Sequence, residues 1–284
     1  MENLQKIALI ADSTSDLPEE FINKYNVHIL PLKVIYRDKE YTDRVDITPQ
    51  YVYDNLKVEI PKTSLPSMND MNNLFEKLKI EGYTHAIAIC ISSGLSGTSN
   101  SLKLISENHP EIVSTIFDSK LISFGTVPLI VECGKLIDKG ESYESIVSSL
   151  PKIKDNVSVF FMVDTLEYLK KGGRIGRVSG TIGELLNIKP IISINEDGVY
   201  YTYDKIRGKK QALSKFLTII KNEIDKHKAS LWVAHGDALE ECIKIRDMLK
   251  DYNNVTTVGF GEVGPVVGVH TGPGFIAISI FKEE

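Results

Sequence analysis

The stretch Ala86–Thr98, Ala-Ile-Ala-Ile-Cys-Ile-Ser-Ser-Gly-Leu-Ser-Gly-Thr, constrains this chain most. Its apolar run has no alternation, which suits a strand covered on both faces in a parallel sheet. The run stops in small hydroxyl residues and glycines, Ser92–Thr98, and helical spacing resumes over Ser99–Glu107 with Leu102 and Ile105 on one face. A loop at the carboxyl end of a parallel strand stands where open α/β sheets keep their ligand crevices. It offers hydroxyls and free backbone N–H groups to a hydrogen-bond acceptor.

The flanking chain repeats the strand–helix alternation. Lys6–Ala11 is a buried strand that ends at Asp12-Ser13-Thr14-Ser15-Asp16, with Ser15 or Asp16 expected to cap the helix carrying Phe21, Ile22 and Tyr25. Val27–Leu30 is a second strand that Pro31–Tyr36 continues or pairs with, and Thr48-Pro49 opens a short helix. Pro61–Ser67 is extended, because Pro66 keeps Leu65 out of the α region; a helix with Met71, Leu74, Phe75 and Leu78 on one face follows. Ile112–Phe117 is a strand and Thr126–Asp138 a buried helix. The pattern predicts a doubly wound, mostly parallel N-terminal α/β domain, residues 1–154, with a break near Pro151–Asn156.

Beyond the break, Val157–Val163 is a strand and Asp164-Thr165-Leu166-Glu167 a capping pattern. Glu196-Asp197-Gly198 between Pro190–Asn195 and Val199–Tyr203 signals a hairpin. Helices over Lys209–Lys228 and Leu239–Leu249 alternate with strands Leu231–Ala234, Val255–Phe260 and Phe275–Phe281. A hairpin combined with crossover helices predicts a C-terminal α+β domain, residues 155–284, with a mixed sheet.

At 284 residues the chain has length for two domains, and 42% hydrophobic with 25% charged residues is a globular composition. The net charge of −5 gives no electrostatic reason for nucleic acid as a partner. No apolar run reaches the roughly 20 residues of a membrane span, so stable membrane insertion is not expected. The N-terminus lacks a signal-peptide core, and Cys90, Cys133 and Cys242 are isolated in apolar patterns, as in a cytoplasmic protein with buried thiols.

Three chemistries compete for the Ser92–Thr98 loop. A nucleophile elbow needs Gly-x-Ser-x-Gly, and Gly94-Leu95-Ser96-Gly97-Thr98 misplaces the last glycine. The order Ser96, Asp118, His270 is nonetheless that of a hydrolase triad, so a serine esterase or thioesterase using Ser96 and His270 is the alternative reading. A phosphate cradle lacks its lysine motif, and a plain strand-to-helix turn with capping serines is the third option. His270 precedes Thr271-Gly272-Pro273-Gly274, whose glycines and proline impose an unusual backbone. His85 and His235 have no partner at metal-ligand spacing, while His28, His109 and His227 are read as solvated, so neither metal nor cofactor is expected. Basic clusters occupy Lys170–Arg177 and Arg207–Lys210.

Four segments taken in order resemble the DegV family of fatty-acid-binding proteins: Asp12–Asp16, Thr63-Ser64-Leu65-Pro66-Ser67, Ser92–Thr98 and His270–Gly274, with Lys171-Gly172-Gly173-Arg174-Ile175 between them. The resemblance implies two α/β domains enclosing one long-chain fatty acid, palmitate-like or unsaturated. It implies that Thr63, Ser64, Ser93 and Ser96 hold the carboxylate, with His270 close by. It further implies a FakB-type subunit of bacterial fatty acid kinase, itself non-catalytic. Such a subunit presents the carboxylate to a separate ATP-dependent kinase subunit, and the acyl phosphate formed feeds phospholipid synthesis. Arg174 and Arg207 become candidates for contacting that kinase or the new phosphate. An acyl chain buried at roughly 0.8 kcal/mol per methylene gains on the order of 10 kcal/mol before binding costs. A carboxylate leaving water needs donors, and hydroxyls with loop N–H groups are expected to provide them without a lysine counter-charge.

Overall fold

The computed structural model describes residues 5–181 and 188–283; the N-terminal residues 1–4, read above as lacking a leader, lie outside them. In chain order the first half runs β1 (Ile7–Asp12), α1 (Glu19–Lys24), β2 (His28–Leu30), β3 (Lys33–Ile35), β4 (Glu40–Thr42), α2 (Pro49–Asn55) and β5 (Lys62–Ser64). It continues with α3 (Met68–Ile80), β6 (His85–Cys90), α4 (Thr98–Glu107), β7 (Val113–Asp118), α5 (Val127–Asp138) and α6 (Tyr143–Asp155). The second half comprises β8 (Val157–Met162), α7 (Glu167–Lys171), β9 (Ile188–Ile194), β10 (Tyr200–Arg207), α8 (Lys209–Ile224) and β11 (Ala229–Gly236). The chain ends with α9 (Leu239–Leu249), β12 (Val255–Glu262), α10 (Pro265–Thr271) and β13 (Phe275–Lys282).

The first sheet, ordered β2-β1-β6-β7, is parallel throughout. Its two central strands are apolar on both faces because both faces are covered. Ala8, Ile10, Ala86 and Ala88 meet Met71, Phe75 and Leu102 of α3 and α4. Leu9, Ala11, Ile87 and Ile89 meet Leu129, Ile130 and Ile146 of α5 and α6. This is the doubly wound arrangement, and its strand order reverses between β1 and β6. The loops Asp12–Asp16 and Ser92–Thr98 therefore flank the switch point where such sheets bind ligands.

The second sheet, β10-β9-β8-β13-β11-β12, is mixed: only β11 and β12 run parallel. The Asn195–Val199 turn joins β9 to β10 with Gly198 at φ 75°, a left-handed conformation that glycine adopts without Cβ strain. The largest core cluster draws on both sheets, with Leu9 and Ile89 from one and Val159, Phe161 and Ala277 from the other.

Several local expectations change. The Asp12–Asp16 segment closes a 3-10 turn whose cap is Asp12, and α1 starts after Pro18 instead of on a Ser15 or Asp16 cap. Lys33–Ile35 neither extends nor pairs with β2; it is the middle strand of a third, antiparallel sheet, β4-β3-β5, which carries Thr63 and Ser64. Pro151 is no linker, because α6 stays helical through it to Asp155 and the second sheet starts at Val157. Before α7, Thr165 Oγ1 rather than Asp164 accepts from the Glu167 N–H. His109 is buried, stacked on Phe75 and hydrogen-bonded to Asn72, and His28 is half-buried against Tyr83. The helices opened by Thr48 and Ser67 form as expected, each hydroxyl accepting a backbone N–H. All three cysteines are buried and free.

Candidate functional site

Between the two halves lies a narrow cavity of about 40 Å³. Its polar wall is Thr63 and Ser64 from β5, Ser96 from the loop after β6, Arg174 from the segment after α7, and His270 and Thr271 from α10. Its apolar wall includes Leu32, Ile91, Leu95 and Val266. Ile122, Tyr200, Val267 and Thr271 also border a second chamber of about 20 Å³. That deeper chamber is nearly all apolar, with Phe124, Val159, Phe161, Ala234, Phe275 and Ala277 around it. The pair makes an amphipathic tunnel, polar at one end and greasy at the other. Its width requires lining side chains to part for any occupant many carbons long.

The polar end is built on α10. Its first turn is held by carboxylates of the other half: Gly264 N–H donates to Asp16 Oδ1 (2.8 Å) and Val266 N–H to Asp43 Oδ1 (3.1 Å). Anionic side chains at a helix N-terminus satisfy its orphan donors. Asp16 also receives Arg44 Nη2 (2.6 Å) and Ser123 Oγ, and Arg44 reaches the Glu262 carbonyl (3.1 Å). Asp43 accepts from Ser13 Oγ (2.6 Å), and burial pushes its carboxyl up to about 6. Asp16, Arg44 and Ser123 all have positive φ (52°, 59° and 56°), so three unfavourable backbone conformations meet in this one network.

Anchored this way, α10 brings His270 Nε2 to 2.8 Å from Thr63 Oγ1. Nδ1 is buried with no hydrogen-bond partner. It faces Gly172, where a Cβ would overlap it, so Gly172 is needed for close approach, whereas Gly173 adopts a left-handed φ of 72°. Burial, and then the nearby Arg174 charge, lower the His270 imidazole to about 3. His270 is thus neutral at physiological pH. Arg174 is itself oriented by Nε to the Leu95 carbonyl (3.1 Å) and Nη1 to the Gly172 carbonyl (2.7 Å). A guanidinium carries five N–H groups, so donors remain beyond these two bonds.

Four of the five residues expected to hold a carboxylate, Thr63, Ser64, Ser96 and His270, line the cavity together. Ser93 does not. Its Oγ receives Lys120 Nζ (3.0 Å) and its N–H donates to Asp118 (3.0 Å), turning it to a surface ion pair. Arg207 ends β10, exposed, and is not part of the cavity wall, whereas Arg174 is. Nor are the loop N–H groups free: those of Ser92 through Ser96, and of Thr98, bond within the protein. The cation in the cavity wall is therefore Arg174, held in place by its two carbonyl partners.

The hydrolase triple is not assembled. Ser96 Oγ pairs with Thr98 Oγ1 (2.9 Å), His270 Nε2 with Thr63, and Asp118 with Lys120 (2.7 Å). A serine nucleophile needs a base in hydrogen-bond contact and with a pKa near working pH, and His270 meets neither condition. Among the described residues no cluster of three or more His, Cys, Asp or Glu has metal-binding geometry. Among them, too, no helix is long and apolar enough to cross a membrane.

The model of the DegV family of uncharacterised proteins matches residues 6–283. The chain belongs to the DegV family. A DegV domain-containing protein of Clostridium acetobutylicum is 54% identical over 280 residues, covering 99% of this chain and 100% of the relative. Among solved structures, a fatty-acid-binding DegV family protein from Thermus thermophilus superposes with a TM-score of 0.90 at 28% identity, covering 98% of this chain and 100% of that one. DegV of Bacillus subtilis, described as a fatty acid binding protein, gives 0.90 at 30% identity over the same shares. The DegV segments quoted from the sequence fall into two groups. Thr63-Ser64, Ser96 and His270 line the tunnel, while Asp12–Asp16 builds the carboxylate staple beneath α10. Asp43, Arg44 and Ser123 complete that staple, yet a lone Asp-Arg pair and a serine before Phe124 carry no pattern from which it is legible.

Proposed function

We propose that this protein binds one long-chain fatty acid, its carboxylate at the Thr63–Ser64–Ser96–His270–Arg174 end and its tail in the apolar chamber. The observation that carries this reading is the polarity gradient of the tunnel, donors at one end and aromatic and aliphatic walls at the other. The fatty-acid-binding DegV structures with TM-scores of 0.90 support it. A neutral His270 beside an arginine suits an anionic head group: the imidazole orients Thr63 Oγ1 without adding a second full charge, and a bound anion draws its pKa upward. The carboxylate end lies at Arg174, which retains N–H groups for a partner or a phosphoryl oxygen. On this reading the protein is a substrate carrier, presenting the carboxylate to a separate ATP-dependent kinase subunit for conversion to an acyl phosphate.

Denaturing mass spectrometry of the purified protein tests the first part: one equivalent of a long-chain fatty acid is expected, and a folded protein that neither retains nor takes up such an acid refutes it. The single tryptophan, Trp232, stacks on the chamber residue Phe124 at 5.5 Å, so its emission should shift on titration with stearate. For the second part, a fatty acid kinase catalytic subunit with ATP should form acyl phosphate only when this protein is added. Formation at the same rate without it rejects the carrier role.

A further inference from the structure

We propose that the deep chamber is matched to an acyl chain carrying a hydroxyl group far from its carboxylate, with Ser279 Oγ as that group's hydrogen-bond partner. This rests on the fatty-acid reading above. Along β13 side chains alternate, so Ile276, Ile278 and Ile280 enter the core beneath α8 and α9 while Phe275, Ala277 and Ser279 face the chamber. Ser279 is 2% exposed, and its Oγ has no hydrogen-bond partner.

The nearby serine and threonine hydroxyls are committed: Ser123 Oγ donates to Asp16, Thr271 Oγ1 to the Val267 carbonyl (3.0 Å), and Ser193, buried two strands away, to the Val159 carbonyl (2.8 Å). The fold thus satisfies these hydroxyls and leaves Ser279 Oγ open. A plain hydrocarbon tail would seal it away unpaired, which is unfavourable. A hydroxylated tail supplies both a donor and an acceptor. Ala234 and Ala277, the small side chains in the same wall, border the space for the extra oxygen. Ser279 lines the apolar chamber and not the cavity of Thr63, Ser96 and His270, so the oxygen belongs to the distal part of the chain.

Binding of stearate, 2-hydroxystearate and 12-hydroxystearate is compared by quenching of Trp232, which pairs with Ser279 in register. Wild type is expected to bind 12-hydroxystearate about tenfold more tightly than stearate or the 2-hydroxy acid. Ser279→Ala should erase that difference while binding stearate at least as well as wild type, which also shows that the variant is folded. Equal binding of the three acids by wild type, or a preference that survives in Ser279→Ala, overturns this inference and leaves the fatty-acid reading standing. Failure of all three to bind wild type overturns both.

Discussion

Two loops leave adjacent parallel strands at the same edge of the first sheet, Asp12–Asp16 after β1 and Ser92–Thr98 after β6. Both are short and rich in hydroxyls, and they do opposite work. The first contains two carboxylates, and these draw in donors from several elements: Asp12 takes Thr14 N–H, Thr14 Oγ1 and the Ile91 N–H, and Asp16 takes Arg44, Ser123 and Gly264. All five of its residues are buried, and burial raises the Asp12 carboxyl above its ordinary range. The second loop has no carboxylate of its own. It docks on the other half through Ser92 Oγ to the Gly198 carbonyl (2.8 Å) and leaves Ser96 on the cavity wall. A loop with buried anions closes on itself and repels another anion, whereas one with only hydroxyls keeps donors for a ligand. One loop assembles the site and the other belongs to it.

That division is most severely tested at Asp16. Asp16→Ala strands the Gly264 N–H and removes the Arg44 partner, so urea denaturation should show a loss of about 3 kcal/mol. A loss below about 1 kcal/mol would mean that the first loop is not the staple. Gly172→Ala should come next, because its Cβ displaces His270; we expect fatty-acid affinity to fall by more than tenfold, about 1.4 kcal/mol or more, together with a stability loss of about 1–3 kcal/mol from overpacking. Ser96→Ala and Thr63→Val should each weaken binding by about fivefold with stability within about 1 kcal/mol of wild type. Ser93→Ala, in the same loop but facing Lys120, should leave affinity unchanged; a loss there equal to that of Ser96→Ala would contradict the assignment of donors.

The wild-type pH dependence is expected to be shallow, because the two ends of α10 oppose each other. His270 is depressed in the folded protein from 6.5 to about 3, so its contribution is complete above pH 6.5 and is lost as pH falls toward 3. Asp43 is raised from 3.8 to about 6, so its contribution is complete below pH 3.8 and is lost as pH rises through 6. Each slope is about 1.4 kcal/mol per pH unit, and between pH 3.8 and 6 they offset. Asp43→Asn should therefore make stability fall more steeply on acidification than in wild type. His270→Gln should make it rise from pH 6 to 3.8. Identical slopes in the two variants and wild type, from urea titrations at a series of pH values, would disprove this opposition.

Much of the architecture is legible in the sequence because burial imposes local patterns. The unbroken apolar runs of β1 and β6, the hydroxyl caps at Thr48 and Ser67, and the hairpin turn at Gly198 follow from rules acting over a few residues. Placement of β3 was not legible, since three residues pair with whatever edge is near, and the edges offered by β4 and β5 are fixed by the rest of the fold. The direction of a serine in a tight loop is equally open. Ser93 and Ser96 are three residues apart and face different surroundings because Lys120 and Asp118 occupy the space beside one of them.

By itself the sequence determined that a doubly wound sheet is joined to a mixed one, and its family resemblance pointed to Thr63, Ser64, Ser93, Ser96 and His270 as the polar residues of the site. Tertiary structure alone placed Arg174 on the cavity wall, turned Ser93 to Lys120 and Asp118, and fixed α10 through Asp16 and Asp43 from the opposite half. The reason is range. Periodicity and capping are encoded within one or two turns of chain, whereas the cavity wall joins distant groups such as Thr63 and His270, 207 residues apart, whose meeting depends on how the halves pack.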